Sequence, residues 1–186
     1  MASFKSSYPV VAPITAEPAS TAPTYGTGMK IGKMISTTLA INTNEASLYG
    51  DDALAEYVAE FKDLDITLNI TTLPAAAYEM LFGSAEDSTS HAIESTTTDE
   101  AKYVGYGFIK GEMVDGVTTY YTVWIPKVKF APIGEDAETR GDSINWKTPS
   151  LSGKGMPGND GVWRVITPYT NEAAAIAALK TKAGIS

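Results

Sequence analysis

The sequence predicts a mainly β, α+β fold: a β-sandwich or barrel with a short flanking helix, an extended N-terminal arm and a C-terminal helix. Three observations lead there. Residues 102–130 read as one hairpin, with two runs rich in aromatic and β-branched residues on either side of Asp115-Gly116. Leu64, Ile66, Leu68 and Ile70 alternate with Asp65, Thr67 and Asn69, the period of a strand with one wet face. Only two short segments carry helix start and stop residues. Many strands and few helices argue for sheets packed around a core.

In chain order, residues 1–24 are rich in Pro, Ala, Ser and Thr, with Pro9, Pro13, Pro18 and Pro23 spaced every four or five positions. This composition predicts an extended arm with no core of its own, held by a neighbouring subunit. Residues 25–170 form the β domain. Within it, 33–41 are β-prone, 42–46 read as a polar turn, and Gly50 with Asp51-Asp52 marks a tight polar connection. After the alternating strand, Pro74 and Gly83 bracket a short helix, one suited to a first turn and the other to a left-handed stop. Leu73, Ala77, Met80 and Leu81 then face the core at helical spacing. Residues 84–100 read as a long polar loop.

The hairpin follows. Asp-Gly suits a type I′ turn, which needs φ > 0 at both central residues. A two-residue turn sets the register: Val114 opposite Val117, Phe108 opposite Val123, Tyr106 opposite Ile125. Gly107 then lies opposite Trp124 and Gly111 opposite Tyr120, large rings over bare backbone. Apolar groups project from both faces, so the hairpin needs a cover on each side. Residues 131–142 are a polar connection, and 143–151 a strand with Ile144, Trp146 and Thr148 on one face. Residues 153–161 read as a flexible loop and 162–166 as a last strand. Residues 171–186 are the C-terminal helix and tail. Asn171 caps a helix over 172–182 that starts with Glu172 and ends with Lys180 and Lys182, as the helix dipole favours.

Composition narrows function. With 186 residues, 44% hydrophobic and 19% charged, the chain fits an ordinary globular protein. No apolar run is long enough to span a membrane, and the N-terminus has no basic region followed by an apolar core, so no secretory signal is read there. The absence of cysteine excludes disulfides and thiolate metal sites. The net charge of −8 lacks the basic footprint of a nucleic-acid binder. Residues 63–101 contain no Lys or Arg, yet carry Asp63, Asp65, Glu79, Glu86, Asp87, Glu94, Asp99 and Glu100. Such a stretch reads as a solvated acidic face or, more pointedly, as a surface that repels polyanions.

Chemistry-bearing residues are few. His91, the one histidine, lies among serines and acids, but a triad is defined by geometry and there is no nucleophile elbow. The stretch from Gly153 to Gly158 matches G-x-G-x-x-G in letters only, since no helix is expected after it. Asp51, Asp52 and Glu56 lack calcium-loop spacing and read as a turn. Trp124, Trp146 and Trp163 sit in expected strands, as core, interface or a carbohydrate platform. No catalytic, cofactor-binding or metal-ligating residue is singled out, and no enzyme is expected.

Several motifs occur in one order: Leu48-Tyr-Gly-Asp-Asp, the strand at 61–70, the helix ending Met80-Leu-Phe-Gly, Tyr103-Val-Gly-Tyr-Gly-Phe-Ile, Trp124-Ile-Pro-Lys-Val-Lys-Phe, and Ala137-Glu-Thr-Arg-Gly-Asp-Ser-Ile-Asn-Trp-Lys-Thr-Pro. Over residues 25–153 the chain resembles the major tail (tail tube) proteins of long-tailed, non-contractile bacteriophages. The resemblance implies a β-sandwich or barrel tail-tube fold and a structural virion protein, made in the bacterial host cytoplasm. Its subunits would form rings, usually hexamers, whose sheets join into an inner barrel, and the rings would stack into a tube through which DNA passes. Implied partners are other copies of the chain and the tape measure, tail terminator and distal tail proteins, with DNA in transit and no membrane. The assembly or core candidates are Tyr106, Phe108, Tyr120, Trp124 and Trp146. The candidates for an acidic lumen are Asp63, Asp65, Glu86, Asp87 and Glu94. Two other readings stand beside this one. The tryptophans motivate a β-sandwich adhesin or glycan-binding module, and the similarity of tube folds allows the inner tube of a contractile tail or injection machine.

Overall fold

The computed structural model describes residues 2–139 and 146–186. Among them lie β1 (Ala2–Ala16), β2 (Thr24–Tyr25), β3 (Met29–Lys30), β4 (Met34–Gly50), β5 (Ala53–Ile70), α1 (Ala75–Phe82), β6 (Tyr103–Val114), β7 (Val117–Phe130), β8 (Ser150–Met156), β9 (Val165–Tyr169) and α2 (Glu172–Ala183). The fold is mainly β. The strands form one antiparallel sheet in the order β2-β1-β6-β7-β8-β5-β4, with β3 beside β1 and β9 beside β7. The sheet curls until β4, at one end of that path, approaches β1 near the other. Tyr106 on β6 spans the interior, its hydroxyl 3.1 Å from Thr37 Oγ1 on β4.

The central hairpin has the expected register. Val114 pairs with Val117, Phe108 with Val123, Tyr106 with Ile125, and Gly107 with Trp124. Asp115 (φ 49°) and Gly116 (φ 79°) supply the two positive φ values of the turn. The Trp124 indole lies over Gly107, where a Cβ would come within 2.6 Å of the ring. Gly111 pairs with Tyr120 as expected, but the side chains nearest it are Lys5 and Phe4 rather than the Tyr120 ring.

Both faces of this hairpin are covered from within the chain. Neighbouring residues of a strand point to opposite faces, and here they enter different cores. Val11, Phe108 and Val123 face the interior of the curled sheet, with Leu64, Ile66, Leu68, Ile70, Leu151 and the α1 residues Ala77, Leu81 and Phe82. Val10, Ile109 and Trp124 face outward under Ala175, Leu179 and Ala183 of α2. Asn171 Oδ1 accepts from the Ala174 N–H at 2.8 Å, the expected cap. Lys5 Nζ lies 2.6 Å from Glu172 Oε2, and Ala183 O accepts from the Gly28 N–H at 2.8 Å, so both ends of α2 are fastened to the sheet.

Several expectations are corrected. The N-terminal segment is not an arm awaiting a neighbouring subunit. β1 pairs along β6, and Val10, Val11 and Ala12 are fully buried. Pro9 sits at the register shift between Ser7 and Val10, where a missing N–H is tolerated. Residues 2–24 and 171–186 are therefore built into the same packed unit as the β domain. Residues 42–46 are not a turn but lie inside β4, and the turn comes later, at Asp51 (φ 49°) and Asp52 (φ 60°). Gly153–Met156 are not flexible, because β8 pairs with both β5 and β7. Gly153 leaves room for the Phe130 ring. The strand expected at 143–151 begins only at Ser150, and Ser143, Ile144 and Asn145 lie outside the described residues. The last strand is Val165–Tyr169, so Trp163 and Trp146 are not in strands.

Trp124 is 3% exposed and its Nε1 donates to Tyr25 Oη at 3.2 Å. Trp124→Ala is expected to destabilise the fold by about 3–5 kcal/mol, read as a lower urea midpoint by circular dichroism. An unchanged midpoint would show that this face is not a packed core.

Candidate functional site

The feature that stands out from the packed body is the distal part of the β4–β5 hairpin. Within the body, β5 is flanked by β4 and by β8, which pairs with it from Leu64 to Asn69. Beyond that point residues 43–61 pair only with each other, from Thr43↔Phe61 to Gly50↔Ala53. This two-stranded ribbon extends roughly 25 Å at ordinary strand rise. Every described side chain at 43–49 and 51–60 is exposed.

The ribbon is not a polar loop. Leu48, Tyr49, Leu54, Tyr57 and Val58 are between 43% and 69% exposed. The pairing sorts them by face. Tyr49, Leu54, Tyr57 and Ala59 share one face with Phe61, which packs against the main core. That face is therefore the core-facing side of β5 continued past the body that covers it. Leu48 and Val58 lie on the opposite face with Glu56 and Glu60. Residues 34–61 contain five acids (Glu45, Asp51, Asp52, Glu56, Glu60) and no Lys or Arg.

A second opening lies where β4 returns to β1. A hollow of about 640 Å³ there is lined by Phe4, Ile35, Leu39 and Phe108 among others, and Phe4 and Ile35 are about half exposed. Neither facing edge is fully used: β4 is the last strand of the sheet, and beside Ser3–Ser6 no further strand pairs with β1 among the described residues.

The sequence-derived candidates separate. Tyr106, Phe108 and Trp124 are core residues, and Tyr120 is half-buried beside α2. Trp146 is 84% exposed and belongs to no core cluster among the described residues, which removes the core half of its assembly-or-core role. The three tryptophans have three settings rather than one platform: Trp124 under α2, Trp163 stacked on Phe61 (4.6 Å between centroids), and Trp146 in solvent. The acids fall into two groups. Asp63 and Asp65 lie on the outer face of β5, where Lys154 Nζ is 3.2 Å and 2.8 Å from them and Asn42 Nδ2 donates to both at 2.5 and 2.7 Å. Glu86, Asp87 and Glu94 line a shallow cup in the loop after α1.

That loop's acids have local partners. Asp87 accepts from the backbone N–H groups of Ser90 and Thr89 at 2.7 and 3.0 Å, and the Ser90 N–H leads in holding its carboxyl below the usual range. Glu86 lies 2.8 Å from His91 Nδ1. His91 thus pairs with an acid, and no serine hydroxyl bonds its ring among the described residues. The described residues contain no group of three or more potential metal ligands and no helix long and apolar enough to cross a membrane. No protein-family model matches the chain, and no curated protein matches it in sequence.

The ribbon residues Leu48, Tyr49, Leu54, Tyr57 and Val58 did not emerge as candidates from sequence. The usable signal was the aromatic and β-branched run from Tyr57 to Phe61, symmetric with Leu48-Tyr49 about the Asp-Asp turn.

The cluster at Lys154 yields a titration prediction. Asn42 leads in lowering the Asp63 carboxyl and Lys154 in lowering Asp65. Carboxyls depressed in this way keep their bonds above the ordinary aspartate range and lose them as pH falls through the depressed values. Side-chain carboxyl NMR should show both titrating below the usual range, and Lys154→Met should move Asp65 upward most.

Proposed function

We propose that the chain is the subunit of a self-assembling tube, of the kind built by the major tail proteins of long-tailed bacteriophages, in which stacked rings form a conduit for DNA. The observation that carries the reading is the ribbon: a long two-stranded extension with exposed apolar residues on both faces. An isolated two-stranded hairpin is marginal in water, and exposed apolar patches of this kind mark contact surfaces. Unprotected strand edges invite pairing with other chains. The open hollow between β1 and β4 supplies a different apolar surface on the same chain. Two unlike surfaces on one subunit suit a head-to-tail contact, which closes rings or extends filaments. The net charge of −8 disfavours retention of DNA, since a cationic channel would bind phosphate through counterion release. On this reading the protein is a virion component made in the host cytoplasm, and its partners are its own copies and the proteins that start, measure and end the tail.

Electron microscopy and sedimentation of concentrated protein test this. Rings or tubes with a central channel are expected, and a protein that stays monomeric at every accessible concentration overturns the reading. Leu48→Glu with Tyr57→Glu should raise the concentration needed for assembly by about tenfold or more. The same variant should leave monomer stability within about 0.5 kcal/mol, as for substitutions at exposed sites.

A further inference from the structure

We infer that two braces at the root of the ribbon, one on each face, fix its direction and make it a stiff lever rather than a free flap. The inference rests on the reading of the ribbon as the self-association element.

The root is a place where the chain would otherwise bend. Asn42 pairs with Asp63 and the next pair is Thr43 with Phe61, so Lys62 is an extra residue in β5. A bulge of this kind kinks a strand and raises its local twist. It lies just beyond Leu64↔Gly155, the last pairing of β5 with β8. Without further contacts, the change from three strands to two at a bulge would serve as a pivot.

Contacts from three strands and from the segment before β9 close on that point. On the outer face, Asn42 of β4 bridges Asp63 and Asp65 of β5, and Lys154 of β8 bonds the same two carboxylates. The two bridging groups come from the strands on either side of β5, and Asn42↔Asp63 is the last pair before the bulge, so the cluster anchors the body side of the pivot to the sheet. On the inner face, the Phe61 ring stacks on Trp163 with 14° between planes. The Arg164 guanidinium lies 4.5 Å from the Trp163 ring centroid. Trp163 belongs to the body, immediately before β9. The polar clamp holds the strands rigid up to the bulge on the outer face, and the aromatic stack reaches across it to the first ribbon residue on the inner face. A lever held at a set angle loses less conformational freedom on meeting a second copy, which favours association without any added contact.

The chain contains no cysteine, so paired spin labels can be placed through Ser47→Cys on the ribbon and Ser152→Cys on the body. Distance distributions are measured below the assembly concentration, and assembly is followed separately on unlabelled chains. The expected result is one narrow distribution in the parent, retained in Lys154→Arg and broadened in Lys154→Met and in Trp163→Ala. The concentration for half-assembly should rise by about tenfold in the two broadened variants. Lys154 is about half exposed on its side chain, so Lys154→Met remains informative even if Trp163→Ala fails to fold. Narrow distributions in Lys154→Met overturn the bracing. Broadening with unchanged assembly overturns its role in association. A parent chain that never assembles overturns the self-association reading instead, while the distance measurement still decides whether the braces act.

Discussion

The β6–β7 hairpin has no wet face, and most of the architecture follows from that constraint. Val10 and Val11, Phe108 and Ile109, and Val123 and Trp124 each place one side chain into the curled sheet and the next under α2. A sheet face of this size left in water forfeits roughly 25 cal/mol for each Å² of apolar area. Two layers must therefore be supplied. The curl of β8, β5 and β4 supplies one and the C-terminal helix the other. α2 is only 12 residues long, too short to be stable alone. It is held by packing, by the Lys5–Glu172 pair at its start and by the Gly28–Ala183 hydrogen bond at its end. The segments that looked peripheral in the sequence are thus the ones that close the hairpin.

The ribbon is where the same rule is left unmet. β5 has a buried face along Leu64, Ile66, Leu68 and Ile70, and beyond Phe61, which Trp163 covers, that face runs on to Ala59, Tyr57 and Leu54 with no layer above them. In the body, a buried face and three-stranded pairing stabilise the strands together. In the ribbon both are missing, yet the pairing continues to the Asp51-Asp52 turn. An extension of this composition gains nothing for the isolated subunit, since its apolar groups stay wet and its hydrogen bonds remain open to water. On the proposed reading, its physical rationale lies in a surface that a second copy supplies.

Legibility in the sequence tracked how local the determining interaction was. The hairpin register was readable because an Asp-Gly turn and a cross-strand Trp–Gly pair fix it within a few residues. The α2 cap was readable for the same reason, as was the strand at 64–70, where one wet face leaves a strict alternation. β1 was obscured because its prolines suggested an extended arm with no core of its own. The bulge that accommodates Pro9, and the β6 partner about a hundred residues away, are tertiary facts. β8 was misjudged because its glycines read as mobile, whereas at Gly153 the missing side chain makes room for Phe130. The ribbon was missed because a strand exposed on both faces has no hydrophobic period. Residues 42–46 resemble a turn in composition and become strand only through pairing with 58–63.

Charge gives the ribbon a polarity that its shape alone does not. The chain has 22 acids against 14 basic residues, and five of those acids lie in residues 34–61 without a compensating cation. The ribbon's charged side chains are thus all acidic, whereas several acids of the body are paired with lysines: Asp63 and Asp65 with Lys154, Glu172 with Lys5, and Glu17 with Lys127. Within the proposed assembly this disfavours a two-fold contact between ribbons, which would bring like charges together, and favours a contact between a ribbon and the body of another copy. A two-fold contact ends with a dimer, whereas a ribbon-to-body contact leaves each copy with one ribbon and one receiving surface still to be used. On that reading, the same charge that keeps ribbons apart would direct association toward rings and stacks, most strongly where salt does not screen it.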